Sequence, residues 1–446
     1  MKKMMVSVLS TVLLLSACGN AGTNNSASGG SSSPAASSAA TAAATSGAKK
    51  DPVTLRVAWW GGQARHDYTL KVIELYQQKN PNVKIESEYA AFDDYWKKLA
   101  PQAAANGLPD VFQMDISYLT QYGTRGQLED LEPYTKNGLI NVKDISENSL
   151  SGGKVGGKLL ALNAGSNALQ MTVDPQMIKD LGITPKQDWT MADLDSIGAA
   201  LKAKGKLLAS DFRHDVYFPF YLRGQGQKMY ATDGTQLGYT DDKLFTDYYN
   251  MYKKWYDNGY LMPLDKLAQK KGTPEDDELV LGNAFSSNSW SNQYILLNTA
   301  AKRQLDMLPV PGWAQNKALF LKPSMFWTIA KSSKVKEEAA KFVDFLTNDI
   351  DANKIIKGER GVPVSSKVKD ALMPDLSPEQ KKVFEYVAWA EKNSSQMDPP
   401  NPVGAVEVDK LLKDTAEQIL YKKLTVEEGA AKFRKDANAI LAKNKK

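Results

Sequence analysis

Near the start of the chain the apolar residues fall at every second position. Leu55 and Val57 alternate around Arg56, and the run stops at Gly61-Gly62, which predicts a strand running into a tight turn. The period then becomes helical. Leu70, Ile73 and Tyr76 share one face of 68–79, and the helix has to end ahead of Pro81, because the residue before a proline is pushed out of the α region. Val83, Ile85, Ser87 and Tyr89 alternate again, with Lys84, Glu86 and Glu88 between them, so a half-buried strand follows. These three elements make a β-α-β unit. A helix over 95–106 and a short buried strand over 111–114 continue the alternation of a sheet covered by helices, and the fold class is α/β. Farther on the pattern is helical. Ala339, Phe342, Val343 and Leu346 give 337–348 an inward face, and the last two apolar stripes are Val408, Leu411, Leu412, Thr415, Ile419 and then Ala430, Phe433, Ala437, Ile440, Leu441.

Two segments ahead of the first strand do not fit a globular pattern. Lys2 and Lys3 precede an apolar run from Met4 to Leu15, which is too short to span a bilayer and ends in Leu15-Ser16-Ala17-Cys18-Gly19. This is the pattern of a lipoprotein signal peptide over 1–17, with Cys18 as the lipidated residue, an extracytoplasmic location and anchorage to the cell membrane. A diacylglycerol there would supply two acyl chains, at ~0.8 kcal/mol per buried methylene. Cys18 is the only cysteine, so no internal disulfide can form. From 19 to 50 the chain is almost wholly Ala, Ser, Gly, Thr and Asn. Such a stretch buries too little to repay its ordering entropy, and 18–50 reads as a lipidated cysteine on a flexible tether spanning on the order of 30 Å. The body from 51 onward is about 400 residues, enough for two domains. The formal charge of +5 falls to +3 once the two signal-peptide lysines are gone, and no basic run carries interleaved aromatics, which excludes nucleic acid as a partner.

Catalytic motifs are missing from the sequence. His66 and His214 are the only imidazoles, and there is no H-E-x-x-H, no G-x-S-x-G and no cysteine cluster, so no catalytic residue, metal or cofactor is expected. The run from Gly152 to Lys158 has the glycine and lysine spacing of a phosphate loop, but Leu159 stands where a Ser or Thr must reach magnesium, and 159–162 reads as strand. Residues 275–278, all acidic, lack the alternating ligands and turn glycine of a calcium loop and read as solvated. Aromatics are plentiful instead: Trp59 and Trp60, Phe92, Tyr95 and Trp96, 218–221, Trp290 and Tyr294, and Phe326-Trp327. A pyranose offers an apolar face to such rings and a rim of hydroxyls to Asp, Asn, Gln and Arg. Candidate ligand contacts are therefore Trp60, Gln63, Arg65, Asp94, Tyr95, Asp115, Asn163, Asn167, Tyr221, Trp290, Asn292, Trp327 and Arg360.

The stretch from Trp59 to Tyr68 (WWGGQARHDY), Asn80-Pro81-Asn82-Val83, Tyr95–Leu99 and Leu108–Asp115 (LPDVFQMD) resemble family 1 extracellular solute-binding proteins. The similarity continues through Leu128–Leu131, Trp189–Leu194, Lys322–Met325, Ala339–Phe342 and Gly358–Val364. It implies two lobes of the type II periplasmic-binding-protein fold, discontinuous in sequence and joined by a hinge, with ligand between them. The lobes are expected at 51–162 plus 310–365 and at 163–309 plus 366–446. The resemblance implies a monomeric, non-enzymatic component of an ABC importer that delivers an oligosaccharide to permease subunits. Within the family the sequence looks most like binding proteins for rhamnogalacturonan (pectin) oligosaccharides. A uronate carboxylate would then seek a cation among Arg65, Arg213, Arg223, Lys322 and Arg360. A neutral oligosaccharide or other polyol on the same fold is the alternative. A secreted carbohydrate-active enzyme, with Asp94 and Asp115 as its carboxylates, is the distant one.

Overall fold

The computed structural model describes residues 51–444 apart from 185, 187 and 271. The signal peptide, Cys18 and the tether lie outside the described residues. The alternating apolar positions at the start do form a sheet. Val53–Trp60 runs parallel to Val83–Ala90 on one side and to Val111–Met114 on the other, and Phe326–Ile329 and Leu162–Asn163 complete five strands in antiparallel addition. Leu55, Val57 and Trp59 face one apolar layer with Val72, Ile73 and Phe342, whereas Ala58 and Trp60 face another with Trp96 and Leu99. This two-sided burial is why the strand is apolar beyond simple alternation. The first helix spans Gln63–Lys79 and ends at Asn80, ahead of Pro81. It begins five residues earlier than the apolar stripe predicts, because His66 is drawn inward to accept a hydrogen bond from Trp59 Nε1 at 3.1 Å.

The second sheet is built around Ser166–Val173, buried along its whole length. It pairs antiparallel with Asp306–Pro309, Ala284–Trp290 and Leu321–Pro323, and Leu207–Ala209 joins parallel to Ala284–Trp290. Aromatic residues of Lys243–Asp257 and the two last long helices, Ala405–Leu420 and Val426–Leu441, close its core. Thr425 and Glu428 cap the last of these reciprocally, as a capping box. The glycine-lysine run is a hairpin, Lys154–Val155 against Lys158–Leu159, turned by Gly156 and Gly157 at φ 57° and 79°. In the acidic run, Lys270 pairs with Asp276 and Glu278, and Asp277 accepts from Ser287, so the run is tied into the lobe.

Three strands of chain cross between the lobes. Ser166 and Val362 exchange backbone hydrogen bonds of 2.8 and 3.0 Å, Ser324 donates to Gly165 at 2.8 Å, and Ala164 donates to Met325 at 2.9 Å. Gly165 has no room for a side chain there, since a Cβ would stand 2.4 Å from the Arg360 carbonyl oxygen. One expected boundary moves. Residues 310–323 belong to the second lobe, because Leu321–Pro323 pairs with Ser166–Val173 and Val310 and Leu319 join the second core; the crossing lies at 323–326.

Candidate functional site

A cleft of roughly 680 Å³ is lined from both lobes, within the size range of small-molecule sites. The first lobe contributes Phe92 and the start of the helix Ile116–Thr124, whose first backbone amides are capped by Asp115, accepting from Ser117 N at 2.9 Å. The second lobe contributes the helix His214–Gly224 through Val216, Phe220 and Arg223, the loop around Tyr230, and the strand ends that carry Trp290 and Lys322. A proline-rich segment, Met397–Pro402, forms the remaining wall. It reaches across to the other lobe, for a Cβ on Gly152 would meet Met397 Cε at 3.2 Å.

The charged groups of the cleft are mostly spoken for. Arg213 donates to both oxygens of Asp215, at 3.2 and 2.5 Å, and this pairing raises its pKa. Arg223 spends its donors on structure: Ala318 O at 3.0 Å, Ser395 Oγ at 2.6 Å, Gln396 O at 3.0 Å and an ion pair with Asp398 at 2.8 Å, with its guanidinium over the Phe320 ring. It holds the proline-rich wall in place. Lys322 is different. Its ammonium lies 5.3 Å from the centre of the Trp290 ring, and among the described residues no carboxylate comes within ion-pair distance of it. Burial pushes its pKa down, against a pull from Asp115. Trp290 in turn meets Phe320 edge-on, with ring centres 5.9 Å apart. Asp409, on Ala405–Leu420, has its carboxyl lifted to about 7 by burial and by Asp215.

Of the residues singled out in the sequence, Asp115 and Trp290 come together in this cleft, as do the cations Arg213, Arg223 and Lys322. Of the aromatics, Phe92 and Phe220 line it as well; the other candidate contacts do not. Arg65 is held by Glu359 at 3.0 Å, and Glu359 also accepts from Tyr68. Arg360 is boxed between the rings of Tyr68 and Trp327, each 5.0 Å away, and donates to Thr69. Trp60, Tyr95 and Trp327 are sheet-packing core residues; the Tyr95 hydroxyl donates to Gln113 O at 2.6 Å. Gln63 and Asp94 are exposed and bound to Asp67 and Lys97. Asn163 binds Gly165 and Ser166 at the crossing, Asn167 accepts from Ser291, Tyr221 packs on Tyr248, and Asn292 only precedes the helix Gln293–Ala301. With Asp94 on the surface, the imagined Asp94/Asp115 acid pair does not form across the cleft. Sequence reasoning missed Phe320, Tyr230, Asp215, Asp398 and Asp409. The one local signal for them was Pro399-Pro400-Asn401-Pro402, a stiff loop between two helices.

A comparison with known families gives the same picture. Residues 71–383 match the family described as bacterial extracellular solute-binding protein. The chain is 30% identical to a family 1 extracellular solute-binding protein from Alicyclobacillus acidocaldarius whose structure is solved, over 88% of this chain and 99% of that one, with a TM-score of 0.74. A periplasmic oligogalacturonide-binding protein from Yersinia enterocolitica, solved with saturated digalacturonic acid, is 22% identical over 88% and 99% of the two chains, with a TM-score of 0.73. The sugar-binding protein MalE of Xanthomonas citri shares the fold at 16% identity and a TM-score of 0.73 over 87% and 98% of the chains. These neighbours share the two-lobed type II architecture. The chain therefore belongs to the bacterial extracellular solute-binding protein family, whose members act on the extracytoplasmic side.

Proposed function

We propose that this protein captures an acidic, pectin-derived oligosaccharide such as a rhamnogalacturonan fragment and hands it to the permease of an ABC importer, held to the membrane through a lipid on Cys18. The observation that carries the reading is Lys322. An ammonium half-buried beside an aromatic face, with no carboxylate of its own, is an expensive arrangement for a protein to keep unless a ligand supplies the anion. A uronate fits, with its pyranose face on Trp290 and its carboxylate at Lys322. The likeness to a fold relative solved with digalacturonic acid supports the same ligand class. This revises the role expected of Arg65: the cation offered to ligand is Lys322.

The family the chain belongs to consists of solute-binding proteins, which supports a binder rather than an enzyme. Titration calorimetry of the full chain with unsaturated rhamnogalacturonan disaccharide, digalacturonic acid and galactobiose tests the reading. Binding of the acidic sugars with micromolar or tighter affinity is expected, and the sugars should be recovered intact. Preference for galactobiose, or any turnover, overturns it.

A further inference from the structure

At the second-lobe end of the cleft two carboxylates meet one guanidinium. Arg213 is committed to Asp215 through both of its oxygens. Asp409 faces the same spot from Ala405–Leu420 and has one hydrogen bond, a long one from the Tyr230 hydroxyl at 3.4 Å. No cation among the described residues pairs with it. On its own helix Lys410 and Lys413 serve Asp414 and Glu417. Across the proline-rich wall, Arg223 and Lys228 both turn to Asp398. The loop that carries Tyr230 brings a further carboxylate, Asp233, to the cleft lining, bound to Thr235. His214, next to Asp215, packs against Tyr249 and Tyr252 and does not line the cleft.

Such a carboxyl is poorly placed to be an anion. Burial opposes its charge most, and Asp215 opposes it next; the Tyr230 hydroxyl and Arg213 pull the other way, and the balance leaves it near 7. An acidic sugar entering the cleft adds negative charge and removes water, and both changes favour the protonated form further. A protonated carboxyl has what the cleft otherwise offers sparingly at this end, an O–H donor that can reach a ligand oxygen.

We propose that Asp409 engages the captured sugar as the neutral acid, donating its proton to a ligand oxygen, so that capture of an anionic ligand is coupled to proton uptake. This rests on the acidic-sugar reading above. Affinity then falls as pH rises through the titration of Asp409, by about tenfold between pH 6 and pH 8, because the competent form drops from nine-tenths to one-tenth of the population.

The test is calorimetry of the full chain with digalacturonic acid from pH 5.5 to 8.5, repeated at pH 7 in phosphate and in Tris, whose different ionisation enthalpies count the protons taken up. Wild type should bind about tenfold more weakly at pH 8 than at pH 6 and take up roughly half a proton at pH 7. Asp409→Asn, whose amide keeps a donor but cannot titrate, should lose the pH dependence. A pH-independent affinity with no proton uptake in wild type overturns the proposal and leaves the acidic-sugar reading standing; so does an Asp409→Asn variant that keeps the wild-type slope. Digalacturonic acid failing to bind at every pH overturns both. The proton count needs no variant, so it decides the matter even if Asp409→Asn folds poorly.

Discussion

Replacing Lys322 by methionine separates what this residue does for the ligand from what it does to the fold. The side chains are similar in length, so the change removes the charge and keeps most of the packing on Trp290. In the complex, a hydrogen bond between a buried ammonium and a carboxylate contributes about 1.5–3 kcal/mol, so Kd for digalacturonic acid should rise roughly 10- to 150-fold. Galactobiose, which has no carboxylate, should change less than about threefold. In the free protein the effect has the opposite sign. Burial holds the folded-state pKa of Lys322 below its ordinary 10.5, so between the two values the unfolded chain binds the proton more readily, and below both the folded state bears the full cost of the charge. Methionine removes that cost, and the ligand-free variant should melt at a higher temperature at pH 7. Calorimetric titrations at pH 7 with the two sugars, together with a melting curve, read both effects. Equal losses for both sugars, or an unchanged Kd for the acid, would refute the assignment of the carboxylate to Lys322. A lower melting temperature would refute the account of its cost.

Three further outcomes follow from the same geometry. Trp290→Ala should weaken either sugar by about 1–3 kcal/mol, read by calorimetry, since the stacking face is lost whether or not the sugar is charged. Arg65→Ala should leave sugar affinity within about twofold and cost about 1 kcal/mol of stability in urea melts, because its partner Glu359 is 44% exposed and the pair is screened. Asp409→Asn should be stabilising at neutral and higher pH. With the carboxyl raised from 3.8 to about 7, the folded wild type keeps a proton that the unfolded chain releases, so wild-type stability falls as pH climbs from about 4 to about 7. Urea melts at pH 4, 6 and 8 should show the variant's advantage growing, with an upper bound on the order of 4 kcal/mol; a constant difference would contradict the raised pKa.

The elements with a clean period were legible in the sequence: the strand at 111–114 and the helices at 337–348 and around the last two stripes form where the apolar spacing predicts. The early start of the first helix was hidden because Gln63, Arg65, His66 and Asp67 are polar by type, and His66 is buried through its hydrogen bond to Trp59 and its packing on the Tyr89 ring. The site was less legible for a related reason. Trp59, Tyr95, Trp96 and Trp327 look like sugar platforms in one dimension, yet whether a ring on a strand or helix points to a cleft or into a layer depends on what packs against each face, which local spacing does not record. The cleft gathers residues from near 92, 115, 213–234, 290, 322, 397–402 and 409, so no short motif spans it. Lys322 was visible as one cation among five. Its distinction, lining the cleft with no described carboxylate in ion-pair distance, exists only once the chain is folded; Arg360 also lacks such a partner but lies in the core.

Three of the four residues from 399 to 402 are prolines, and the segment is stapled at its start by the pair between Arg223 and Asp398. Each proline fixes its own φ near −65° and restricts the residue before it, so this wall has few shapes to choose from even when the cleft is empty. A loop of glycine and serine at the same place would lose about 1–2 kcal/mol of backbone freedom per residue on closing over a sugar. Here most of that loss is incurred during folding. Selectivity for ligand shape is thus written into the covalent backbone of the loop, and the heat of binding reports contacts rather than the ordering of chain.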